Sequence, residues 1–158
     1  MKLIFSFLTA IVLFFQSGLE SLRDSYAKAN SSEANTEAFI AVAEKQSGSD
    51  AVTAGYKAAA KIMEAKISKT NRKALVKSGA TSLEAIVKSN PNNAELRVIR
   101  MSVQENIPKI VGYRGSLKDD KTFLLNNYPK QNTALKNYIK RFAAQSKTMT
   151  EAEKATLK

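Results

Sequence analysis

NPNNAELRVIRMSVQENIPKIVGY, residues Asn90–Tyr113, is the stretch whose reading decides the fold. Asn92 stands three residues before Glu95, the spacing of a capping box, and Pro91 lies just outside it. Leu96, Ile99, Val103 and Ile107 then fall within about 80° of arc at 100° per residue, one apolar stripe of an α-helix. Val98 and Met101 lie well off that stripe, so this helix is expected to meet neighbours on more than one side. Pro108 closes it, since proline has no N–H for the helical ladder. The stretch reads as the central beam of a helical domain.

The same periodicity extends in both directions, and no segment alternates with the period of two that a strand requires. Toward the N-terminus, Leu75, Gly79, Leu83 and Ile86 mark one face of a helix that ends at Ser89-Asn90-Pro91, because the residue before proline is biased away from helix. Before it, Asp50 is placed to cap a helix with Val52, Tyr56, Ala59, Met63 and Ile67 inward, and Thr70-Asn71 reads as the turn between the two. Gly55 and Ala58–Ala60 thin that helix so that a neighbour can approach closely. A further helix is expected near Thr36–Gln46 and a short one over Ser21–Ala29. Toward the C-terminus, Ser116 with Asp119 has capping-box spacing before a helix over about Leu117–Tyr128. Leu135, Tyr138, Ile139 and Phe142 face inward on the next helix, and Thr150 with Glu153 caps a last one. The expectation is an all-α single domain of about six or seven helices packed as antiparallel helical hairpins.

The N-terminus has a different character. Lys2 precedes an apolar run over Leu3–Phe15, followed by Ser17, Gly18 and a charged segment, the layout of a signal peptide. Thirteen helical residues reach only about 20 Å, short of the roughly 30 Å hydrocarbon core of a bilayer. The chain therefore divides into a leader over residues 1–18, a short helix and polar linker over 19–35, and an α-helical domain over 36–158. The expected location is periplasmic or secreted. With no cysteine, the protein is not a lipoprotein, and its stability must come from packing without disulfides.

Composition excludes several chemistries. Without His or Cys, imidazole- and thiolate-based catalysis and transition-metal sites are absent, and neither a cofactor nor a metal is expected. Ser25-Tyr-Ala-Lys28 has S-x-x-K spacing, but the other elements of that active site are missing, and an amphipathic first helix explains it. Gly112-Tyr-Arg-Gly115 has the spacing of an RNA-binding loop but lies between helices, where a turn is the simpler reading. The chain is read as non-enzymatic.

Two groups of residues carry the binding hypotheses. Arg100 falls about 40° from Leu96, close beside the apolar stripe, with Arg97 and Gln104 near it. A buried arginine demands carboxylate partners, and Glu84, Asp119 and Asp120 on the adjacent helices are the candidates. Together with Tyr113 they form either a structural ion-pair network or an anion pocket. The second group is a lysine-rich surface: Lys57–Lys88 holds eight basic residues against Glu64 and Glu84. Lys57, Lys61, Lys66, Lys69 and Lys73 would attract anionic material there. The formal charge is +11, with nineteen lysines and six arginines. Lysine suits solvated faces better than bidentate recognition, so no specific nucleic acid is expected as a partner.

Asn90-Pro-Asn-Asn-Ala-Glu-Leu96 resembles the junction of tetratricopeptide repeats. Only Gly79 and Leu83 fit that register, whereas Lys66, Thr70, Arg97 and Gln104 do not, and no 34-residue self-similarity is present. Over about Gly55–Phe142, above all in LEAIVKSNPNNAELRVIRMSVQENIPKIVGYRGSLKDDK, the chain is similar to small exported all-α proteins of Bacteroidota with no assigned role. That resemblance implies a signal peptide and a helical fold, and it brings no catalytic residues. The functional expectation is an interaction or scaffold module with a protein partner in the cell envelope; the alternative is a charge-driven binder of lipid phosphate, polysaccharide or nucleic acid.

Overall fold

The computed structural model describes residues 18–157. Among them there is no strand, and eight α-helices form: α1 (18–28), α2 (Glu33–Lys45), α3 (Ala51–Ile67), α4 (Arg72–Ser89), α5 (Ala94–Asn106), α6 (Leu117–Asn127), α7 (Thr133–Gln145) and α8 (Glu151–Ala155). Short 3₁₀ turns, Lys109–Val111 and Tyr128–Lys130, follow α5 and α6. The count exceeds the expected six or seven because both short terminal helices form. No helix among the described residues is long and apolar enough to cross a membrane. The leader expected over 1–18 lies outside the described residues except for Gly18.

Local chemistry sets the helix ends. Asp50 accepts from the N–H groups of Val52 and Thr53, satisfying donors that the first turn of a helix leaves without partners. Asn71 adopts a left-handed φ of 59° in the turn before α4, a conformation that Asn tolerates better than most residues. Thr150 and Glu153 form the reciprocal capping box at α8.

Three ends differ from the pattern reading. The cap of α5 is Asn93, whose side chain accepts from Leu96 N–H; Asn92 is exposed, and Glu95 turns inward to other partners. Ser116 makes no side-chain cap, because its backbone is already near-helical (φ −95°, ψ 0°) and its N–H donates to Gln104. Helix α2 starts at Glu33, capped by Ser32, so most of the polar linker expected before Thr36 is helix or its cap. Asn30 and Ser31 remain between the helices.

Helix α5 is the centre. Every residue from Ala94 to Glu105 except Arg97 is buried, and α5 touches α3, α4, α6 and α7. Helices α3 and α4 pack most extensively, at a point where only glycine fits. A Cβ on Gly79 would stand 2.7 Å from the carbonyl oxygen of Ala58 and 2.6 Å from Cγ1 of Ile62. Gly55 plays the same part against α5, where an added Cβ would meet Leu96 Cδ2 at 2.5 Å. Helix α1 docks into this core through Leu22 and Tyr26, with Ala29 just after it. Tyr26, Phe39 and Tyr56 form an aromatic cluster with ring centroids 4.8 to 6.3 Å apart, joining α1, α2 and α3.

Candidate functional site

Arg100 reaches from α5 between α4 and α6. Its Nε and one terminal nitrogen donate to the two oxygens of Asp120 at 2.8 and 2.7 Å, and the other terminal nitrogen donates to Glu84 at 2.6 Å. Arg97 donates to the same Asp120 at 2.9 Å and to the Pro91 carbonyl, with its guanidinium 4.8 Å from the centroid of the Phe123 ring. Tyr113 donates to the remaining oxygen of Glu84 at 2.6 Å. Burial disfavours the Arg100 charge, but the hydrogen bonds and charge of Asp120, with Glu84, outweigh it and hold the guanidinium above its ordinary range. Burial and then Glu84 push the Tyr113 hydroxyl upward, so it stays a donor.

The network brings together Arg97, Arg100, Glu84, Asp120 and Tyr113, and Gln104 joins at its edge by accepting from Ser116 N–H at 3.1 Å. Asp119 is exposed and stands apart. The two aspartates are adjacent in sequence, a step of 100° around a helix, and only Asp120 faces α5. Two cations meet two carboxylates, so no charge is left over to attract an anion.

A second network had no counterpart in the sequence reading. Arg23 of α1 grips both oxygens of Glu95 at 2.9 and 2.6 Å and also reaches Glu20. Tyr56 donates to Glu95 at 2.9 Å. At the other end of α5, Glu105 accepts from Ser146 Oγ at 2.6 Å and from Thr148 N–H at 2.9 Å. The available signal was two glutamates set into a helix whose apolar residues appear on more than one face.

The concave feature lies elsewhere. A cavity of about 710 Å³ opens beside α3, α4 and the chain after α5. Its walls are largely apolar, including Ile62, Met63, Val76, Ala80, Val103 and Ile107, and four bases also line it: Lys66, Arg72, Lys73 and Lys77. No Asp or Glu is among the lining residues. Ile110, 97% exposed, and Val111 stand at its edge. Of the five expected surface lysines, Lys66 and Lys73 line the cavity, whereas Lys57, Lys61 and Lys69 are exposed away from it.

A polar pocket of about 150 Å³ adjoins this cavity and shares Tyr26, Asn30 and Asn106 with it. Lys66 donates to the Asn30 side chain, and Lys147 donates to that of Asn106 at 2.8 Å. Burial and then the charge of Lys147 lower the Lys66 ammonium below the ordinary lysine value.

The remaining motifs have local explanations. Ser25 Oγ donates back to the Ser21 and Leu22 carbonyls inside α1. Gly112 takes a φ of 74° in a turn, as glycine readily does. Among the described residues no three of His, Cys, Asp and Glu converge where a metal ion could bind. No known protein family, curated protein or solved structure matches the chain.

Proposed function

We propose that this protein binds an amphiphilic anion, a molecule with an apolar body and a carboxylate or phosphate, in the cavity beside α3 and α4. The observation that carries this reading is a largely apolar cavity of about 710 Å³ lined by four bases and no acid. Pockets that hold one small molecule span about 300–1,000 Å³ and combine apolar walls with a few polar groups. Each methylene moved from water into such a wall is worth about 0.8 kcal/mol, and the bases select the sign of the head group. We take the four-residue turn joining α3 and α4 to make an antiparallel hairpin, one wall of the site. With residues 1–18 taken as a leader, the ligand is met in the periplasm or outside the cell, and the activity is binding without chemistry.

Calorimetric titration with palmitate tests this reading. Saturable binding at one site is expected, lost in Val76→Glu, which places an acid among the bases and shortens the apolar wall. Absence of binding to the wild-type protein, or equal binding by a folded Val76→Glu variant, overturns it.

The interaction-module expectation stands as a second reading, and the exposure of Ile110 favours it. Its test is a pull-down from the host envelope, washed at high salt. One protein retained by the wild type and released by Ile110→Asp supports it; release of all partners by salt counts against it.

A further inference from the structure

We infer that the anionic head group of the ligand sits between the ammonium groups of Lys66 and Lys147, where the apolar cavity meets the polar pocket. The inference deepens the amphiphile reading and rests on it. Lys66 comes from the last turn of α3 and lines the large cavity; Lys147 follows α7 and lines the small one. Asn30 and Asn106 belong to both linings, and each presents one of these lysines through its side-chain oxygen.

Neither lysine has a carboxylate partner among the described residues, and both are exposed, so an anion arriving from solvent can reach them. Of the other charged groups lining the small pocket, Arg141 pairs with Asp24 at 2.7 Å. Glu105 is held in place by Ser146 and Thr148, both neutral donors, and the anion must sit on the lysine side of the pocket, away from it. Two like charges whose fields reach one another are unfavourable when empty and favourable around an anion. The lowered Lys66 ammonium is consistent with that arrangement.

The geometry therefore orients the ligand. Its head lies against Lys66, Lys147 and the two asparagine amides, and its chain runs along Met63, Val76 and Ala80 under Ile107. A cavity of this size suits a single acyl chain with a compact head group, a fatty acid or an alkyl phosphate. Lys73 and Lys77 steer the anion inward without holding it.

The test titrates the full protein with palmitate, hexadecyl phosphate, uncharged hexadecanol and inorganic phosphate. It compares wild type, Lys66→Met/Lys147→Met and Lys73→Met/Lys77→Met, with circular dichroism to verify folding. The expected result is that Lys66→Met/Lys147→Met weakens both charged amphiphiles about tenfold, the scale of a lost charged hydrogen bond, and leaves hexadecanol unchanged. Lys73→Met/Lys77→Met should weaken them less. The tighter of palmitate and hexadecyl phosphate then names the head group, and inorganic phosphate should bind far more weakly than either, since it lacks the chain.

The outcomes separate the two ideas. If the wild type binds palmitate and the loss of Lys66 and Lys147 changes nothing, the cavity reading stands and this head-group seat is wrong. A greater loss in Lys73→Met/Lys77→Met reverses the proposed orientation. If the wild type binds none of the amphiphiles, both readings fall together.

Discussion

Replacing Asp120 by Asn removes the carboxylate that Arg97 and Arg100 share. Asp120 is fully buried, so water cannot take its place, and breaking one side of a buried ion pair costs about 3–5 kcal/mol. Glu84 continues to hold one nitrogen of Arg100, which sets the expectation near the lower end of that range. Asp119→Asn, one residue away on an exposed face, should cost about 0.5 kcal/mol or less. Urea unfolding of the two variants checks this, and equal midpoints would show that the network contributes no stability. Arg100 was legible in the sequence because an arginine near an apolar stripe needs partners, and local turns brought Glu84 and Asp120 within its reach. Asp119 and Asp120 were not separable, since both occupy the first turn and the phase of α6 against α5 is a tertiary property. The position of Glu95 in α5 hinted at a buried acid, but its pairing with Arg23 was not legible, because the partners are 72 positions apart.

At the scale of elements, the contact between α3 and α4 depends on Gly79. Ala has the higher helix propensity by about 1 kcal/mol, so propensity alone predicts that Gly79→Ala stabilises. The added Cβ would stand 2.7 Å from the Ala58 carbonyl, a backbone atom that moves only if the helices separate. Overpacking of this kind costs about 1–3 kcal/mol, and the expected result is a net loss of about 1 kcal/mol with a lower melting temperature. Gly115→Ala, where nothing lies within 4 Å, should leave the melting temperature nearly unchanged. A stabilised Gly79→Ala would mean that α3 and α4 have room between them for a methyl group. Gly55 and Ala58 were readable as thin surface and Gly79 as a position on the packed face of its helix, and the middle of each helix followed from apolar period. Helix ends were read less well, because a cap depends on which side chain the tertiary structure leaves free. Glu95 was unavailable for a capping box once Arg23 and Tyr56 held it, and the cap of α5 fell to Asn93. The cavity was not legible, since its walls come from separate helices and its emptiness is a property of their packing.

For the whole molecule, the hydroxyls of Tyr26, Tyr56 and Tyr138 report whether α1, α3, α5 and α7 close around one another. Burial is the first cause in each case and pushes all three above the ordinary tyrosine value of about 10. For Tyr56 the charges of Tyr138 and Glu95 add to it. The sign follows from proton counting: above pH 10 the unfolded chain releases these protons and the native state keeps them. The stability tied to the three groups is therefore fully present below about pH 10 and is lost as pH rises beyond it, by about 1.4 kcal/mol per group per pH unit. Over the same range lysines lose charge, which relieves the self-repulsion of a protein with formal charge +11, so stability alone is an ambiguous readout. Tyrosinate absorbance separates the effects. Its main rise should occur well above pH 10 and coincide with the loss of helical circular dichroism, because the buried hydroxyls ionise only when the core opens. A smooth rise centred near pH 10, with the helices still intact, would mean that Tyr26, Tyr56 and Tyr138 reach solvent. In that case α1 is not docked over α5, and the wall that Tyr26 gives to both the cavity and the polar pocket is lost with it.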